Sequence, residues 1–132
     1  QGDSDLTGSD YRHIYIYGKI DAGPSTNFAT GAASFATDRI KMTSVSTTDM
    51  GGWSGWVKLY DPLETTYEKK ITWQFTGHND AGYGDDPAGG QYHAEYGGGL
   101  YDANTSALSG ITFLMGSGNI ISGQFTLYGL TV

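Results

Sequence analysis

Apolar and polar side chains alternate along most of this chain. From Tyr11 to Ile20, Ile14 and Ile16 fall on one side and His13, Tyr15 and Tyr17 on the other. In Arg39–Val45, Ile40 and Met42 oppose Arg39, Lys41 and Thr43. Val57 and Leu59 oppose Trp56, Lys58 and Tyr60, and Ile71, Trp73 and Phe75 oppose Thr72, Gln74 and Thr76. Gln91–Tyr96 alternates more weakly. Ile111, Phe113 and Met115 form another apolar row, and Phe125 and Leu127 oppose Gln124, Thr126 and Tyr128. Successive strand residues point to opposite sides of a sheet, so period two marks one dry face and one wet face. No helical spacing is sustained over any long window.

The pattern predicts at least seven strands separated by Gly-rich turns. Two such sheets stacked dry face to dry face make an all-β, antiparallel β-sandwich of jelly-roll type, with a closed barrel as the alternative. The expected division is an N-terminal arm at 1–10 and a single sandwich domain at 11–132. Ala22–Thr37 is expected as a long surface connection or weak edge strand, and Gly77–Gly90 as the second long loop. Asp61-Pro62 reads as a turn closing a strand, because proline cannot donate to a ladder. Phe125 is expected in the seam between the layers, where an aspartate would unfold the domain.

Composition narrows the function. The chain has 132 residues with 21 Gly, ten Tyr and no Cys. Without cysteine there is no disulfide framework, thiolate metal site or thiol nucleophile. Seven basic residues against 14 acidic ones leave a net charge of −7. Nucleic-acid binding requires cations that displace counterions from phosphates, so it is not expected. Membrane insertion is not expected either, since the longest apolar runs are only a few residues.

Few motifs carry chemistry. Asp80, Asp85 and Asp86, interleaved with Asn79, Gly82 and Gly84, supply the hard oxygens that calcium takes, but without the spacing of an EF-hand. The plain reading is a solvated turn, and no cofactor is expected, with calcium kept as the alternative. His13, His78 and His93 show no i, i+2 pairing. His93 and Glu95 share a strand face, which the plain reading turns to solvent. Gly52-Trp53-Ser54-Gly55 lacks the spacing of a nucleophile elbow. Glu64 and Glu68 flank a turn as surface charges. Gly97-Gly98-Gly99 precedes no phosphate-binding helix and reads as a bulge or a close backbone approach. Asn104-Thr105-Ser106 matches a glycosylation sequon. No set of residues supports a hydrolase.

Tyrosines and tryptophans opposite the apolar rows are the stronger signal. Outward aromatic rows suit a subunit interface, sugar stacking, or cross-strand pairing. Tyr15, Tyr17, Trp56 and Tyr60 are the expected subunit-interface residues. Tyr83, Asp85, Asp86, Tyr92 and His93 are the candidate glycan-binding set, since rings beside carboxylates suit polyhydroxylated ligands.

Three segments resemble virion structural proteins of tailed bacteriophages. They are Leu6-Thr7-Gly8-Ser9-Asp10-Tyr11-Arg12-His13-Ile14, then Tyr60-Asp61-Pro62 through Tyr67-Glu68-Lys69-Lys70 to Thr76-Gly77-His78-Asn79, and last the stretch from Gly97-Gly98-Gly99-Leu100-Tyr101 to the closing Leu127-Tyr128-Gly129-Leu130. The last resembles a phage ending in which a Ser-Gly-Asn-type turn leads to a Leu-Tyr-Gly-Leu strand. Residues 21–50 and Tyr83–Gly90 depart from the pattern. The resemblance implies a non-enzymatic, jelly-roll-like virion component: a tail-fibre, receptor-binding-tip, capsid-decoration or head-fibre domain. It also implies a homo-oligomer, commonly a trimer, among other virion proteins, with host-surface glycan as a further partner. It transfers no catalytic residue.

Overall fold

The computed structural model describes residues 10–20, 26–29, 33–37, 39–42, 50–79, 91–114, 120 and 122–129. Six strands account for the regular structure, and no helix occurs among the described residues. They are β1 (Tyr11–Ile20), β2 (Thr26–Ala29), β3 (Ala33–Thr37), β4 (Met50–Tyr60), β5 (Lys69–Asn79) and β6 (Gln91–Tyr101). The four long strands form one antiparallel sheet in the order β1-β6-β5-β4. The short β2 and β3 pair with opposite ends of β1, at Tyr17–Ile20 and Tyr11–Ile14 respectively. Thus β4, β5 and β6 follow one another as a meander, and β1 closes against β6.

The protein is therefore all-β, but its described residues form one sheet and no facing second sheet. Residues 39–42 lie outside any strand, although Ile40 and Met42 do pack on the core as expected. Residues 111–114 and 122–129, expected as strands, also have no ladder partner among the described residues. Phe125 is 66 % exposed and stacks on Phe113, at 5.3 Å between ring centroids. The expectation that it fills the core is corrected.

Alternation fixes the two faces of the sheet. Along the covered face, cross-strand rows run Tyr11, Tyr101, Lys69; His13, Gly99, Ile71, Leu59; Tyr15, Gly97, Trp73, Val57; and Tyr17, Glu95, Phe75, Gly55. Tyr15, Ile71 and Trp73 form its buried centre, with Tyr17, Ile40, Met42, Val57, Leu59 and Phe75 packed around them. The weakly patterned sixth strand proves long, because Gly97-Gly98-Gly99 continues the ladder without a shift in register. Of the two alternatives expected there, the bulge is absent, whereas the Arg12 carbonyl does come close to Gly99, 3.2 Å from where a Cβ would stand. Large side chains fill the space that glycines leave. A Cβ on Gly97 would lie 2.5 Å from Trp73 Cε2, and one on Gly77 2.5 Å from Trp53 Cδ2. Both aromatics stand directly across the ladder from those glycines, and Phe75 covers Gly55 in the same way. Strand glycine is ordinarily a weak point, and an aromatic partner restores the lost packing.

One end of the sheet is tied by loops. Asp61 adopts a left-handed φ of 45°, which aspartate tolerates better than bulkier residues, and its carbonyl accepts the Glu64 N–H at 3.0 Å. The expected turn at Asp61-Pro62 is present. Leu108 N–H donates to Pro62 O at 2.8 Å and Asp102 N–H to Asp10 O at 3.0 Å. The Arg12 guanidinium pairs with the Asp102 carboxylate. Lys69 is buried, and its ammonium donates to the carbonyls of Glu64, of Tyr67 at 3.1 Å and of Thr105 at 3.0 Å. Three donors thus meet three carbonyls, and this match lets a cation sit at the sheet margin.

Candidate functional site

The uncovered face of the sheet is the principal candidate. Its described positions are Arg12, Ile14, Ile16 and Gly18 on β1, and Tyr92, Ala94, Tyr96, Gly98 and Leu100 on β6. Lys70, Thr72, Gln74 and Thr76 follow on β5, then Ser54, Trp56, Lys58 and Tyr60 on β4. One row, Ile16, Tyr96, Gln74 and Trp56, crosses all four strands. Ile14 is 60 % and Ile16 59 % exposed, and Trp56, Tyr60, Tyr92 and Tyr96 are exposed with them. Exposed apolar patches of this kind mark interaction sites more often than single exposed hydrophobics do.

Charge on this face runs against the chain's overall balance. Arg12, Lys58 and Lys70 occupy one end, and no aspartate or glutamate stands at any of the positions named. The Lys58 ammonium lies 4.5 Å from the centre of the Tyr60 ring, and the Tyr60 hydroxyl is 3.4 Å from Thr72 Oγ1. Beside Trp56 a shallow depression is lined by Ser54, Gly55, Gln74, Phe75 and Thr76. The result is a face with exposed apolar and aromatic side chains on β1, β6 and β4, a polar strip along β5, and Lys58 and Lys70 at one end.

The structure divides the expected interface residues between two faces. Trp56 and Tyr60 stand on the open face as expected. Tyr15 is only 5 % exposed, and Tyr17 is half-buried beside it on the covered face. The predicted sides of β1 are thus reversed: the isoleucines face out and the tyrosines face in. The cause lies across the ladder. Tyr15 stands opposite Gly97 and His13 opposite Gly99, so the covered face has room for rings there. Burial, then the Glu95 carboxylate, then Tyr17 push the Tyr15 hydroxyl above its ordinary 10.0. Burial, then the charge of Lys41, hold His13 below its ordinary 6.5.

The glycan-binding set is also divided. Tyr83, Asp85 and Asp86, with the calcium alternative at Asp80, lie outside the described residues. Tyr92 is exposed while His93 is buried. Adjacent strand residues face opposite sides, so these two cannot line one groove. His93 and Glu95 do share a face, but it is the covered one, correcting the expectation that they meet solvent. Among the described residues, no three His, Asp or Glu side chains converge to hold a metal. Glu64 and Glu68 are exposed. Glu64 accepts the N–H groups of Thr65 and Thr66, both at 2.7 Å, and hydrogen bonds from Thr66 above all hold its carboxyl below the usual range. Asn104 of the sequon is engaged locally, donating to the Tyr101 hydroxyl and accepting the Ser106 N–H, both at 2.9 Å.

Sequence reasoning missed two features. The isoleucines of the open face escaped it because Ile14 and Ile16 look like a core row. Glycines at 97 and 99 were the available signal, since a face with vacant positions needs large partners. Lys69 was missed because nothing in a sequence distinguishes a buried lysine from an exposed one. No protein-family model, curated protein or solved structure matches this chain.

Proposed function

We propose that this chain is a non-enzymatic structural component of a bacteriophage virion: a tail-fibre, receptor-binding-tip, capsid-decoration or head-fibre domain. It works by assembling with copies of itself and with other virion proteins, and through that assembly serves attachment to the host surface. The observation that carries the reading is the open face bearing Ile14, Ile16, Trp56 and Tyr96. Interface cores are rich in aromatics and poor in carboxylates, as this face is. A second copy is the fitting occupant, because this face carries exposed isoleucines and aromatic rings and no carboxylate at the positions named, so two such faces can meet without burying an unpaired acid. Copies meeting across this face would supply the second layer of a β-sandwich. The phage resemblance supports a trimer and the virion as the location. The test is the mass of the full chain in solution, compared with that of Ile16→Asp.

A second reading has one observation in its favour. Trp56, Tyr92 and Tyr96 present exposed rings on a flat surface, which suits stacking of sugar rings beside Gln74 and Thr72. A carbohydrate-binding module of this kind, calcium-dependent if the aspartates at 80, 85 and 86 bind the ion, would bind a glycan array as a monomer. In the calcium-dependent case a chelator would remove that binding.

A further inference from the structure

We propose that Ser122–Gly129 of one copy adds as a strand to the outer edge of β4, along Ser54–Tyr60, in a second copy, so that protomers exchange their C-terminal segments. This rests on the self-assembly reading and names the segment and the edge that carry it. Three observations converge.

The first is the segment itself. Residues 103–132 contain no Asp, Glu, Lys, Arg or His, in a chain that holds 14 acidic and seven basic residues. Within it, Gln124, Thr126 and Tyr128 alternate with Phe125 and Leu127, the pattern of a half-buried strand. Yet residues 122–129 join no ladder among the described residues, and Leu127 is 96 % exposed. A strand pattern with its apolar side in water has its partner elsewhere.

The second is the acceptor. β4 ends the sheet and, among the described residues, pairs only with β5. An edge strand offers a row of backbone N–H and C=O groups to any incoming strand. Edges are commonly protected by proline, bulges or charged side chains, lysine above all. From Trp53 to Tyr60 the register with β5 is unbroken, there is no proline, and Lys58 is the one charged residue. The irregularity at Met50/Gly52, where Gly52 takes a φ of 112° that other residues rarely adopt, limits the regular edge to that stretch.

The third is complementarity of the faces. Val57 and Leu59 are half-buried at the margin of the covered face, where Phe125 and Leu127 extend their row. Gln124, Thr126 and Tyr128 then join Trp56, Lys58 and Tyr60 on the open face. An uncharged segment also approaches an acidic copy without repulsion.

The experiment uses the full chain. Leu127→Asp replaces a side chain exposed in the single protomer, so at a dilution where copies are dissociated its circular dichroism should match the parent's, while association weakens at least tenfold. Because the chain has no cysteine, Thr126→Cys protein can be mixed with Ser54→Cys or Lys58→Cys protein and oxidised. A mixed disulfide between copies is expected for at least one of the two pairs, as cross-strand Cα separations suit that bond. Unchanged association of Leu127→Asp, or no mixed disulfide with either partner, would overturn the exchange. Association lost in Ile16→Asp but kept in Leu127→Asp overturns the exchange alone, whereas a monomeric parent overturns the self-assembly reading with it.

Discussion

Trp73 and Gly97 are direct partners across the β5–β6 ladder, and the indole occupies the space where a side chain at 97 would stand. Trp73 is fully buried, so the ring has nowhere to retreat. A methyl group at 97 would meet Trp73 Cε2 at 2.5 Å and Tyr15 Cβ at 2.8 Å. Gly97→Ala should therefore cost about 1–3 kcal/mol through overpacking. Gly98→Ala is the control, since its nearest neighbour is Ile71 O at 3.6 Å. Urea unfolding midpoints of the two variants check this, and equal midpoints would contradict it.

Lys69 ties three segments together through the carbonyls of Glu64, Tyr67 and Thr105. Lys69→Met keeps an unbranched stem, one atom shorter, but abandons those acceptors. The expected loss is on the order of 2–4 kcal/mol, because hydrogen bonds to charged groups exceed neutral ones. Limited proteolysis within 61–68 should accelerate along with it. Lys70→Met, at an exposed neighbouring position, should change stability by no more than about 0.5 kcal/mol.

Stability should fall at both ends of the pH scale. His13 is buried, its Nδ1 has no hydrogen-bond partner among the described residues, and its folded pKa lies below the ordinary 6.5. The unfolded chain then binds the proton first. Stability is complete above about 6.5 and declines as pH falls through the folded value. Tyr15 is the opposite case. Its folded pKa is raised above the ordinary 10.0, so its contribution is complete below about 10 and is lost as pH rises further. Thermal unfolding across this range checks both limbs. His13→Gln should flatten the acid limb, and Tyr15→Phe the alkaline one.

Much of this architecture was legible from residue order alone. The alternation at Ile71, Trp73 and Phe75, and at Val57 and Leu59, places those side chains on the covered face as expected. The Asp61-Pro62 turn follows from proline chemistry. β1 was legible as a strand but not in its orientation. Both of its faces carry large apolar groups, and the choice between them depends on Gly97 and Gly99, some eighty residues later, by their cross-strand register. The expected strand at Gln124–Tyr128 fails for a related reason: alternation reports the capacity to pair, whereas pairing requires a free edge within reach. Of the candidate site, Trp56, Tyr60 and Tyr92 were legible because they alternate with apolar or small residues. Ile14 and Ile16 were not.

Phe125→Asp provides a direct check on the exposed C-terminal segment. Phe125 contacts the Phe113 ring and stands outside the buried cluster. At a dilution where copies are dissociated, the substitution should leave the sheet folded, with an unfolding free energy within about 0.5 kcal/mol of the parent. A globally unfolded variant would place Phe125 in the core and contradict the fold described above.

Self-assembly through the open sheet face is checked by light scattering on the full chain as it elutes from a sizing column. The expected mass is a multiple of the 14.1 kDa protomer, with a single-protomer mass and unchanged circular dichroism for Ile16→Asp. A parent that elutes at 14.1 kDa across the accessible concentration range would contradict it.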